Sequence, residues 1–104
     1  MITVTTVSDT EGKILRFRVE GHSGFADSGS DIVCAAVSST LWMTINGIEK
    51  QNLAQLSYEE RDGFVNCIIS DRRLDGADIL INSLVMFVSE LSGQYGEFLN
   101  FTQN

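Results

Sequence analysis

The chain has 104 residues, enough for one small domain with a single core and too few for two. Hydrophobic residues make up 43% and charged residues 20%, with a mean hydropathy of +0.06, which excludes disorder as the main state. Fourteen acidic against 7 basic residues give a formal charge of −7, the wrong sign for free nucleic acid and the right one for a basic protein partner.

Residues 2–7 place Ile2, Val4 and Thr6 on one side and Thr3, Thr5 and Val7 on the other, the two-residue period of a half-buried strand. This start has neither the basic segment nor the long apolar run of a secretory signal, so the expectation is a cytoplasmic protein. Turn chemistry at residues 8–12 leads into a second run over 13–19, with Leu15, Phe17 and Val19 facing one way, and together they predict a β-hairpin. From residue 31 to about 50, Ile32, Val33, Ala36, Val37, Thr40, Leu41, Thr44, Ile45 and Ile48 recur at the three-and-four spacing of an amphipathic helix that starts near Ser30 or Asp31. Residues 53–58 and 64–69 flank Glu59-Glu60-Arg61-Asp62-Gly63 and predict a second hairpin, with Val65, Cys67 and Ile69 on its inner face. A second helical stripe from 74 to about 95 runs through Ala77, Leu80, Ile81, Leu84, Val85, Val88 and Leu91, closed by Gly93 and Gly96. Its most apolar stretch, 79–88, is interrupted by Asn82 and Ser83 and is too short for a membrane span. A last strand over 97–102 brings Phe98, Leu99 and Phe101 to bury. The order β-β-α-β-β-α-β predicts an α+β, two-layer fold, with a mainly antiparallel sheet and two helices packed on one face, as a single domain over residues 1–104.

Most polar clusters read as solvated structure. Glu59-Glu60-Arg61-Asp62 is the tip of a hairpin, and Asp71-Arg72-Arg73 is a loop entering the second helix. No phosphate-binding or dinucleotide fingerprint is present, so no cofactor is signalled. One histidine and two cysteines distant in sequence, Cys34 and Cys67, make no metal-ligand pattern and read as reduced thiols.

The exception begins at Gly21-His22. The only histidine follows a strand, a Gly/Ser-rich loop comes next, and Cys34 falls in the first turn of the helix. Backbone N–H groups and the positive dipole end at a helix N-terminus favour thiolate over thiol, and an imidazole within reach completes the Cys/His arrangement used in acyl transfer. Free N–H groups there are candidate donors to an oxyanion. On spacing alone this competes with a packed cysteine and a loop-anchoring histidine. Ser38, four residues after Cys34, shares its helix face and either hydrogen-bonds into the site or bonds back to the Cys34 carbonyl. Asp31, one turn before Cys34, opposes a thiolate unless it caps the helix or orients His22.

At these residues the sequence resembles the ribosomal-processing cysteine proteases of the Prp family. The resemblance rests on Gly21-His22 and, after a glycine-bearing loop, Gly29-Ser30-Asp31-Ile32-Val33-Cys34-Ala35-Ala36-Val37-Ser38, and the length and element order fit over essentially the whole chain. It implies Cys34 as nucleophile and His22 as general base, with no cofactor and no metal. It also implies that the substrate is the N-terminal extension of large-subunit ribosomal protein number twenty-seven, cut after an aromatic residue in a short apolar segment. A homodimer and a mobile loop over 23–30, including Ser23, Gly24, Gly29 and Ser30, are further implications. For a third, orienting group, Ser38 comes first and Asp31 second. A −7 protein would attract a basic ribosomal protein while being repelled by RNA. The competing readings are a non-catalytic acidic module that docks on a basic ribosomal or assembly protein, and a thiol redox sensor, which the absence of a neighbouring resolving cysteine disfavours. Trp42, Met43, Met86 and Phe87, off the main stripes, are apolar candidates for a dimer interface or simply widen the core face.

Overall fold

The apolar alternation and the two helical stripes close on one another in the computed structural model, which describes residues 1–27 and 29–104. The elements are β1 (Ile2–Ser8), β2 (Ile14–Glu20), α1 (Ile32–Lys50), β3 (Ala54–Arg61), β4 (Phe64–Arg72), α2 (Gly76–Gln94) and β5 (Leu99–Gln103). They build one sheet in the order β3-β4-β2-β1-β5. The β1–β2, β2–β4 and β3–β4 pairs are antiparallel, and β5 joins β1 in parallel, opposing Leu99 to Ile2 and Phe101 to Val4. The α+β, two-layer order expected from the sequence is the one observed.

The core lies between the sheet and the helices. Ile2, Val4, Phe17, Cys67 and Ile69 from the strands meet Val33, Val37, Leu41, Ile45 and Ile48 of α1 and Ala77, Ile81, Leu84 and Val88 of α2. Each helix is 19 residues long with a mean hydropathy of 1.2 over its most apolar window. That length and apolarity serve the core here, since each helix turns its stripe onto the sheet.

Four features differ from the sequence expectation. Val7 opposes Arg16 while Ser8 opposes Ile14, so Leu15 is the extra residue of a β-bulge; Ile14 is buried in its place and Leu15 stays exposed. The second hairpin is longer than expected, because Arg61 pairs with Phe64 and only Asp62-Gly63 forms the turn, with Gly63 at φ +68°. Asp71 and Arg72 finish β4 instead of forming a loop. Helix α2 runs through Gly93 to Gln94, with Tyr95 as its C-cap. Helix α1 ends at Lys50 as expected, and without glycine: Asn52 takes the left-handed conformation at φ +56°, and the Asn52 and Leu53 N–H groups donate to the Glu49 and Ile48 carbonyls.

Candidate active site

Strand β2 ends at Glu20, which opposes Phe64 at the start of β4. The chain then turns sharply at Gly21, whose φ is +95° and whose N–H donates to the Gly63 carbonyl at 2.8 Å. A Cβ at Gly21 would fall 2.2 Å from the Met1 carbonyl oxygen, so no side chain fits. His22 follows, its carbonyl accepting from Met1 N at 2.5 Å and its side chain well exposed.

Cys34 comes from the other side, in the first turn of α1. Asp31 is the N-cap: its Oδ1 accepts from the Cys34 N–H at 2.9 Å, and its Oδ2 accepts from the Ser23 hydroxyl. These donors hold the Asp31 carboxyl down at about 2, from an ordinary 3.8, with the Cys34 N–H the largest cause and the Ser23 hydroxyl the next. The Ser23 N–H donates to Cys34 Sγ at 3.4 Å and so complements negative charge on the sulfur. Ser23 itself is buried and also accepts from the Phe25 N–H at 3.2 Å. Phe25 packs edge-on against Tyr95 and Phe98, tying the loop to the end of α2 and the approach to β5.

Two clefts meet at this point. One, of about 470 Å³, is lined by His22, Cys34 and Ser38, has an apolar floor that includes Val37, Leu41 and Val65, and carries Glu60 and Asp62 on its rim. The other, of about 460 Å³, is lined by His22, Cys34 and Ser38 again, with Gly24, Gly29 and Asp31. His22, Cys34 and Ser38 therefore share one continuous opening. Ser38 is exposed there, and its hydroxyl has no hydrogen bond among the described residues. Asp31 acts as a helix cap and reaches Ser23 and Cys34 instead of the imidazole. The Cys34 N–H is committed to that cap and the Ala35 N–H to the Asp31 carbonyl at 3.1 Å, so neither is a free donor at the helix start. Ser30 donates its N–H to the Asp27 carbonyl in the loop, and Ser28 lies outside the described residues.

The other thiol is different in kind. Cys67 is fully buried on β4, and burial, with a smaller contribution from the charge of Glu49, pushes it up to about 12. Among the described residues no cluster of His, Cys, Asp or Glu could hold a metal.

A family description, cysteine protease Prp, matches residues 1–100. The chain belongs to the Prp family of cysteine proteases. A ribosomal processing cysteine protease Prp from Staphylococcus aureus is 26% identical over 99 residues, covering 93% of each chain, and one from Bacillus subtilis is 35% identical over 48 residues, covering 46% of this chain and 43% of that one. Among solved structures, S. aureus Prp in complex with a covalently linked product peptide superposes with a TM-score of 0.94 at 24% identity over the whole of both chains. A Streptococcus mutans protein superposes at 0.75 and 24% identity, covering all of this chain and 96% of the other. These likenesses establish the Prp fold for this chain, and the family match makes it a cysteine protease.

Two further features border this Prp site, and the sequence pointed to one of them. Trp42 follows the second of its two readings: it is half-buried against the core, walls the first cleft and packs edge-on against Tyr58 at 5.6 Å. The Glu60-Arg61-Asp62-Gly63 segment, read as solvated, borders His22. The Asp-Gly pair marks the turn in sequence, but only the β2–β4 register brings that turn to the histidine.

Proposed function

We propose that the protein removes the N-terminal extension of large-subunit ribosomal protein number twenty-seven in the cytoplasm, using Cys34 as nucleophile and His22 as general base. The observation that carries this reading is the convergence of His22 and Cys34, from β2 and from α1, on a cleft with an apolar floor. That floor suits the aromatic side chain before the cut bond, and the carboxylates of Glu60 and Asp62 suit a basic substrate protein.

In this reading His22 takes the Cys34 proton and the thiolate attacks the carbonyl carbon of the bound peptide. The Ser23 N–H, already on the sulfur side of the site at 3.4 Å, offers a backbone donor as negative charge develops. His22 then protonates the departing amine, and water hydrolyses the thioester. Gly24 and Gly29, both at positive φ, give the loop its freedom to order over the peptide, between the Ser23 anchor and the Asp31 cap. A homodimer would add binding surface, and Met43, Met86 and Phe87 are exposed apolar side chains available to it.

The test is incubation with that ribosomal protein bearing its extension, read by intact mass. Wild type should release one N-terminal peptide. Cys34→Ala should leave the substrate intact while keeping the same circular dichroism and binding. Uncut substrate with wild type overturns the reading.

A further inference from the structure

The tip of the β3–β4 hairpin stands beside His22. Asp62 Oδ2 lies 3.8 Å from His22 Nε2, and the Asp62 side chain is 99% exposed, so the fold does not depend on it. Gly63 gives the ring its place: a Cβ there would come within 2.9 Å of Nε2 and 3.4 Å of Cδ2 and Cε1. The same glycine's carbonyl holds the Gly21 N–H at 2.8 Å, one residue before the histidine. The turn is thus tied to the backbone at Gly21 and lies beside the His22 ring with no room for a side chain between them.

The other charged groups around His22 are engaged or face elsewhere. Both carboxylate oxygens of Asp31 are taken, by the Cys34 N–H and the Ser23 hydroxyl. Arg61 lies over the Phe64 ring at 4.0 Å and pairs with Glu59 at 3.3 Å, away from Asp62. Glu60 lines the cleft rim without an ion pair among the described residues, and Met1 N binds the His22 carbonyl. Among the described residues, Asp62 is the one carboxylate within 4.0 Å of the imidazole.

We propose that Asp62 is the positioning residue for His22, a role that rests on the Cys/His reading above. By accepting from Nε2–H it selects the tautomer whose Nδ1 exchanges the proton with Cys34, and it stabilises the imidazolium formed when that proton arrives. At 3.8 Å the pair is open to water, and such pairs contribute little while exposed. A peptide in the cleft that Asp62, His22 and Cys34 all line expels that water and draws the two groups together, as acid–base contacts tighten in substrate complexes. The effect belongs to the covered state and to turnover, not to folding.

The experiment is steady-state cleavage of an extension peptide by wild type, Asp62→Asn and Asp62→Glu, with melting temperature measured for each. The expected result is a fall in kcat of about tenfold to a hundredfold for Asp62→Asn with KM within about twofold and melting unchanged, and recovery of most of kcat in Asp62→Glu. An Asp62→Asn enzyme with unchanged kcat, or with a change in KM alone, overturns the proposal. Absence of cleavage by wild type strikes the Cys/His reading instead.

Discussion

Cys34 and Cys67 are the same residue type in opposite surroundings. Cys34 lies half-buried in a cleft with an N–H on its sulfur, while Cys67 is sealed in the core and its thiol is pushed up to about 12. Thiol alkylation at neutral pH should therefore add one label, at Cys34, at a rate about a hundredfold or more above that of Cys67. Peptide mapping over time checks this, and equal slow labelling of both sulfurs contradicts it. Asp31 has an acid signature of its own. Its carboxyl sits at about 2 in the folded protein against 3.8 as a free group, so it binds its proton more weakly when folded. The stabilisation is complete above the unfolded value and is lost as pH falls from about 4 towards about 2. Asp31→Asn should flatten the dependence of urea midpoint on pH across that window.

At the scale of elements, the site depends on how β2 leaves the sheet. Gly21 turns the chain at φ +95° where a Cβ would strike the Met1 carbonyl oxygen at 2.2 Å. Gly21→Ala combines left-handed strain with that clash and should destabilise the fold by about 1–3 kcal/mol, measured by urea unfolding, and should lower cleavage by displacing His22. The types and order of the helices and strands were legible because amphipathic period and turn residues are local. The bulge at Leu15 and the length of the second hairpin were not. Leu15 and Ile14 have equal claims to the core in sequence, and only pairing with β1 settles which is buried. The glutamates and arginine before Asp62 have weak strand propensity, yet pairing with β4 carries the strand through them to Arg61.

The whole molecule, with a radius of gyration of 13.3 Å, carries its −7 charge on a small body. Attraction of a basic protein to that surface acts through solvent and is screened with a Debye length of about 10 Å at 0.1 M salt. Raising salt from low to about 0.5 M should therefore raise KM several-fold and leave kcat nearly constant, while a short uncharged peptide should be indifferent. A kcat that falls with KM unchanged would place the salt effect on the chemistry.

The sequence alone determined the element order and most of the apolar faces, and it set a histidine after a strand and a cysteine at a helix start. These follow from residue periodicity and from chain distances of a few residues. Tertiary structure decided that β5 runs parallel to β1, that Ser23 and Asp31 form one clamp on the first turn of α1, and that Asp62 and Gly63 flank His22. The last of these joins residues some forty positions apart through the β2–β4 register, and a register is set by how a whole sheet packs, not by any segment within it.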